Sequence, residues 1–245
     1  MTACDCKRMS KIFKGKAANI GEFPHHVSVQ YSEHHICGGS IISSNHVLTA
    51  ANCIVLDLNV VTGNLKVLAG TGNRRDETTN TGTYHNVKYI IYHPEYSPKL
   101  FWKNDIAILT LETPIILNGE TRDSVALAGS ILLPGTIVRI CGWRHDSIST
   151  VRHGWQLQQL RLQIDDIVFC MEHFKGIEIS VSQRCATPTV KSADITLGNG
   201  GGGMIRQRKL VGIISVLFGI KSKSTIFTQI YPFYNAWIQY IISNY

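Results

Sequence analysis

Short runs of β-branched, aliphatic and aromatic residues recur between turn-forming stretches from one end of the 245-residue chain to the other. They fall at 27–30, 41–42, 47–49, 65–68, 87–91 and 106–109 in the first half, and at 136–140, 160–164, 210–215 and 226–230 in the second. Runs this short, several of them alternating, suit strands with one buried face and do not suit helices. The pattern predicts a barrel or sandwich in each half, with the two β domains joined near 114–130. The exception is the end of the chain, where Tyr234, Trp237, Ile238, Ile241 and Ile242 follow Pro232 at helical spacing. A C-terminal helix over 231–243 is expected, and its apolar stripe packs on the body, because its polar face lacks the Lys and Arg of a membrane-surface helix.

With 44% apolar residues the chain can bury a large core, which excludes a disordered class. The net charge of +7 favours anionic partners, although charged residues make up only 17% of the chain. Basic residues gather at Lys7, Arg8, Lys11, Lys14 and Lys16, at Arg74 and Arg75, at Arg206, Arg208 and Lys209, and at Lys221 and Lys223. Aromatic residues do not interleave with them in a nucleic-acid motif, so no nucleic-acid partner is expected. No apolar run approaches the about 18 residues that span a bilayer, and the first residues carry no signal-peptide core; a secreted form would have lost its signal.

The seven cysteines are widely spaced. Cys4 and Cys6 form the one close pair, with no second Cys or His pair to complete a zinc framework. His25-His26 and His34-His35 are sequence neighbours, and neighbours on a strand point to opposite faces. No metal or cofactor is expected. The glycine run Gly198-Asn199-Gly200-Gly201-Gly202-Gly203 lacks the Lys-Ser/Thr ending of a phosphate loop. Disulfides are the better use of the cysteines.

Seven segments appear in a telling order: Ile12-Phe13-Lys14-Gly15, Cys37-Gly38-Gly39-Ser40, Leu48-Thr49-Ala50-Ala51-Asn52-Cys53, Asn104-Asp105-Ile106-Ala107, Cys141-Gly142-Trp143, Gly212-Ile213-Ile214-Ser215 and a helix containing Trp237-Ile238. The chain from about 12 to 245 resembles a trypsin-like serine protease, and more narrowly the scabies mite inactivated serine protease paralogues. The resemblance implies an all-β fold of two six-stranded antiparallel barrels with a C-terminal helix: an N-terminal barrel about 12–120, a C-terminal barrel about 121–230, and a leader or propeptide-like 1–11. It also implies disulfides Cys37–Cys53 and Cys170–Cys185, the second across a surface helix. A further family disulfide has lost both partners, the first position reading Thr196. Cys141 lacks its family mate, whose position reads Arg206; it is either buried and free or tied to Cys4 or Cys6.

The departures from the family pattern bear on chemistry. Where the resemblance places the general base stands Asn52, which has no basic nitrogen, and where it places the nucleophile stands Gly200, which has no side chain. Asp105 keeps its place, as an acceptor for Asn52 and nearby backbone. In the family, cleavage after a basic residue frees an Ile ammonium that pairs with an Asp; here the pair reads Ile12 and Asn199, and a neutral amide compensates a buried ammonium poorly. Asp194 aligns with the acidic floor of a trypsin-like specificity pocket, while Leu217 and Thr225 stand at wall positions that are Gly in open pockets. The resemblance therefore implies a secreted, monomeric, non-catalytic protein of mite gut and faeces that inhibits host complement by binding its components. The alternatives are a residual or substrate-assisted hydrolase, a decoy that captures ligands in the old cleft, and a module that binds anionic surfaces.

Overall fold

In the computed structural model the alternating runs close into two antiparallel rings. The structure describes residues 15–55, 62–75, 81–143, 155–191, 193, 195, 198–217 and 224–245, without the side chains of 216 and 217. The N-terminal ring contains β2 (His26–Tyr31), β3 (His34–Ser43), β4 (His46–Thr49), β5 (Leu65–Ala69), β6 (Thr83–Tyr92) and β7 (Ala107–Leu111), in the closed order β2-β3-β4-β7-β6-β5. The C-terminal ring contains β9 (Ile137–Gly142), β10 (Gln158–Ile164), β11 (Gln183–Pro188), β12 (Gly203–Arg206), β13 (Lys209–Leu217) and β14 (Thr225–Gln229), in the order β9-β10-β11-β14-β13-β12 and closed by β12 on β9. Two short strands lie on this second ring: β1 (Lys16–Ala17) pairs with β10, and β8 (Ala126–Leu127) runs parallel to β13.

Each ring is filled by the inward half of its alternating strands. Val27, Val29, Val67, Leu109 and Leu111 pack inside the first, and Val138, Ile140, Leu160, Leu162, Ile164 and Phe227 inside the second. A third cluster joins the two: Leu48, Ile106 and Ile108 from outside the first ring meet Leu210, Ile213 and Ile230 from the second, and all lie with Tyr234, Ile238 and Ile241. The C-terminal helix α3 (Asn235–Asn244) is thus a cover over the junction of the barrels. It begins later than the 231 expected from spacing, because Tyr231–Tyr234 form a turn in which the Tyr234 hydroxyl is held by Asn104 Oδ1 at 2.7 Å and Ser182 Oγ at 2.9 Å.

Strands β11 and β12 were not evident from apolar patterning. β11 buries Gln183, whose Nε2 donates to the Phe101 carbonyl at 2.8 Å, so a polar side chain occupies an interior position with its hydrogen bond satisfied. β12 follows the glycine run directly and spans four residues.

Cys37–Cys53 and Cys170–Cys185 are disulfide-bonded, the second tying β11 to α2 (Ile167–His173). Closing loops of this length is worth about 3 kcal/mol each in the chain-entropy account. Cys141 is buried and makes no disulfide among the described residues; Cys4, Cys6 and Thr196 lie outside them. Of the paired histidines, His34 is exposed and His35 buried, whereas His25 and His26 are both buried. Burial pushes His25 down to about 4 and His26 to about 3, so both imidazoles are neutral near pH 7.

Candidate functional site

Three loops meet where the barrels touch, and each belongs to a sequence segment already singled out. Helix α1 (Asn52–Val55) follows β4 and is anchored by the Cys37–Cys53 bridge; Asp105 lies just before β7; the glycine run 198–203 leads into β12. The glycine run is held from both sides. Gly38 N donates to Gly200 O at 2.8 Å from the first barrel, and Gly201 N to Ile214 O at 2.8 Å in the second. Gly201 has φ +74, and a Cβ there would collide with Thr49 Oγ1 and the Gly38 carbonyl, so glycine is required.

Asp105 is fully buried. Its Oδ1 accepts from Asn52 N at 2.7 Å, and its Oδ2 accepts from Asn52 Nδ2 at 2.7 Å and from the Ser215 hydroxyl. Its backbone carbonyl accepts from Thr228 Oγ1 at 3.0 Å. The Asn52 amide also donates to the Ser215 carbonyl at 2.8 Å. Both N–H bonds of that amide are therefore committed, one to the carboxyl and one to the β13 backbone. No cation is part of this network, and burial pushes Asp105 up to about 7 against the pull of its donors. Ser215 contributes both its hydroxyl and its carbonyl.

Position 200 has room. A Cβ on Gly200 would lie 3.6 Å from Cys37 Sγ and 3.9 Å from Cys53 Sγ, which is ordinary contact. Gly200 itself carries no hydroxyl. Ser215, whose hydroxyl is bonded to Asp105, is only 4% exposed. Asn199 is buried, with Nδ2 3.3 Å from the Trp143 carbonyl, while Ile12 lies outside the described residues. Thr225 is buried on β14 directly opposite Leu217 of β13; Asp194 and the Leu217 side chain lie outside the described residues. Among the described residues no group of three or more His, Cys, Asp or Glu is placed to hold a metal.

With this geometry established, comparison with known proteins is specific. The family described as Trypsin matches residues 12–238. Trypsin zeta of Drosophila melanogaster is 30% identical over 222 residues, covering 84% of this chain and 76% of that protein. Trypsin Tyr p 3.0101 of the mite Tyrophagus putrescentiae is 31% identical over 238 residues, covering 94% and 79%. Among solved structures, the scabies mite inactivated protease paralogue S-D1 superposes with a TM-score of 0.81 at 27% identity, covering 94% of this chain and 97% of that one. The sequence relatives are thus named as trypsins, and the structural neighbour as an inactivated paralogue.

The buried carboxyl makes a pH prediction. An unfolded Asp titrates near 3.9. Between that value and about 7 the folded state keeps a proton that the unfolded chain has released, so this group's contribution to stability declines as pH rises, by about 1.4 kcal/mol per pH unit. Asp105→Asn does not titrate, and comparing it with the wild type cancels the histidines. Urea unfolding of both proteins from pH 5 to 8 is expected to show the balance shifting toward the variant as pH rises; a constant difference would show that Asp105 is already ionised at pH 5.

Proposed function

The chain belongs to the trypsin family of serine proteases, and we propose that it is a non-catalytic member that acts by binding other proteins. The observation that carries this reading is the Asn52 amide, which occupies both of its hydrogens on Asp105 and the Ser215 carbonyl while position 200 offers no hydroxyl. Acyl transfer needs a nucleophile, a base to take its proton and donors for the oxyanion. An amide nitrogen has no lone pair available for that proton, and Asp105 has no imidazolium to stabilise. Asn52, Asp105 and Gly200 are in this reading the remains of a triad, with the acid retained because it ties the barrels together.

The activation pair and the specificity pocket follow the same course. Asn199 cannot offer an Ile12 ammonium the charge it would need on burial, so cleavage after Lys11 does not order the site as it does in a trypsin. Thr225 and Leu217 stand at wall positions that are Gly in open pockets of the family, and residues of that size there leave less room for a substrate Arg. The structural likeness to an inactivated mite paralogue supports a loss of catalysis with the fold kept. We take the protein to be secreted and to inhibit host complement by engaging its components. Among the described residues no helix is long and apolar enough to cross a membrane.

Two experiments test this. Complement-mediated red-cell lysis, run pathway by pathway with heat-unfolded protein as control, is expected to show dose-dependent protection; full lysis at saturating protein would reject complement inhibition. The double variant Asn52→His/Gly200→Ser supplies a base and a hydroxyl at the two positions, and a Cβ at 200 meets only ordinary contacts. It is expected to leave Arg-ester hydrolysis at background, because Leu217 and Thr225 still stand where open pockets have Gly; measurable turnover would reject a blocked pocket.

A further inference from the structure

On the outer face of the C-terminal barrel, strand register sets Arg139 of β9 directly opposite Arg161 of β10. Their neighbours Val138, Ile140, Leu160 and Leu162 fill the core, so the two arginines point outward on the same face. Like charges directly opposed across a strand pair are destabilising on their own. A third cation is close: β1 pairs along the other flank of β10 and places Lys16 opposite Gln159. These residues line a cleft of about 500 Å3, together with Glu22, Thr189 and Val190.

Arg139 is held in position. Its Nη2 donates to Glu22 Oε1 at 3.1 Å and to Gln159 Oε1 at 2.8 Å, Gln159 Nε2 donates to Glu22 Oε2 at 2.9 Å, and its guanidinium lies 4.5 Å from the centre of the Phe23 ring. Glu22 is the one acid lining the cleft, and it is engaged by that contact. Lys16 and Arg161 are exposed and have no acidic partner among the described residues. The cleft therefore presents three cations against one carboxylate, with one arginine fixed in advance.

We propose that this cleft binds a sulfated polysaccharide chain, with Lys16, Arg139 and Arg161 on its sulfate groups and Gln159 and Thr189 on its hydroxyls. Guanidinium forks match the paired oxygens of a sulfate, and an amide and a hydroxyl suit a sugar. An acidic peptide fits less well. Extended peptides are captured on an open strand edge, and β10 is paired along one flank by β9 and on the other by β1 and β11. Single-stranded nucleic acid needs exposed rings for its bases, and Phe23 is 1% exposed beneath Arg139. The proposal uses no residue of the Asn52–Asp105 network and stands apart from the complement reading.

Titration calorimetry of the full chain with a size-defined heparin oligosaccharide, at low and at physiological salt, tests it. Wild type is expected to bind, more weakly as salt rises. Lys16→Ala/Arg161→Ala is expected to lose at least about tenfold in affinity, whereas Lys88→Ala/Lys175→Ala, which removes the same charge elsewhere, loses less than about twofold. Circular dichroism checks that each variant is folded. Equal losses in the two variants would overturn the proposal in favour of diffuse charge attraction, as would no binding at low salt. A polyglutamate of matched charge that binds as tightly, with the same dependence on Lys16 and Arg161, would overturn the ligand class.

Discussion

Asp105 is a carboxyl buried where two barrels meet, and it accepts hydrogen bonds from both of them. Asn52, which donates to it twice, belongs to the first barrel, and Ser215 belongs to the second. Leaving any of these buried donors without an acceptor would cost about 1–3 kcal/mol each. That penalty gives a physical reason for an acid at position 105 whatever its neighbours do chemically. An asparagine suits this network better than an apolar residue would, because its amide has a second hydrogen for the Ser215 carbonyl. The site is thus a completed set of hydrogen bonds whose donors are fixed in place.

The rest of the junction reinforces this. The glycine run lies between the barrels with hydrogen bonds to both, and α3 lays Ile238 and Ile241 over apolar side chains from each ring. Truncating a fully buried Ile such as Ile238 typically costs about 2–5 kcal/mol, so the helix is a principal holder of the relative barrel positions. A fold held at its junction in this way does not depend on catalysis, and its surface is open to other uses. The Lys16, Arg139 and Arg161 cleft is one such surface, and the β9–β10 pairing that creates it is part of the barrel itself.

Much of this was legible in the sequence because it rests on local pattern. Alternation at 27–30 or 160–164 marks one face of a strand, and the motifs around Cys37, Asp105 and Trp237 identify the family in order. Other features depend on neighbours distant in the chain. β11 escaped notice because Gln183 at an interior position looks polar until the Phe101 carbonyl is brought beside it. The late start of α3 depends on where Asn104 and Ser182 capture the Tyr234 hydroxyl. The hydroxyl of Ser215 meets Asp105 across 110 positions of sequence, and Arg139 meets Arg161 only through register. Spacing carries no signal for such pairs.

On the non-catalytic reading proposed above, no hydroxyl of the protein is activated for attack. Treating the folded chain with a fluorophosphonate probe and measuring intact mass tests it directly, since the probe reports an activated nucleophile without needing a substrate to fit the pocket. The account predicts an unchanged mass under conditions that label trypsin fully. A stoichiometric mass increase, lost in Ser215→Ala, would contradict it and place a working nucleophile beside Asp105.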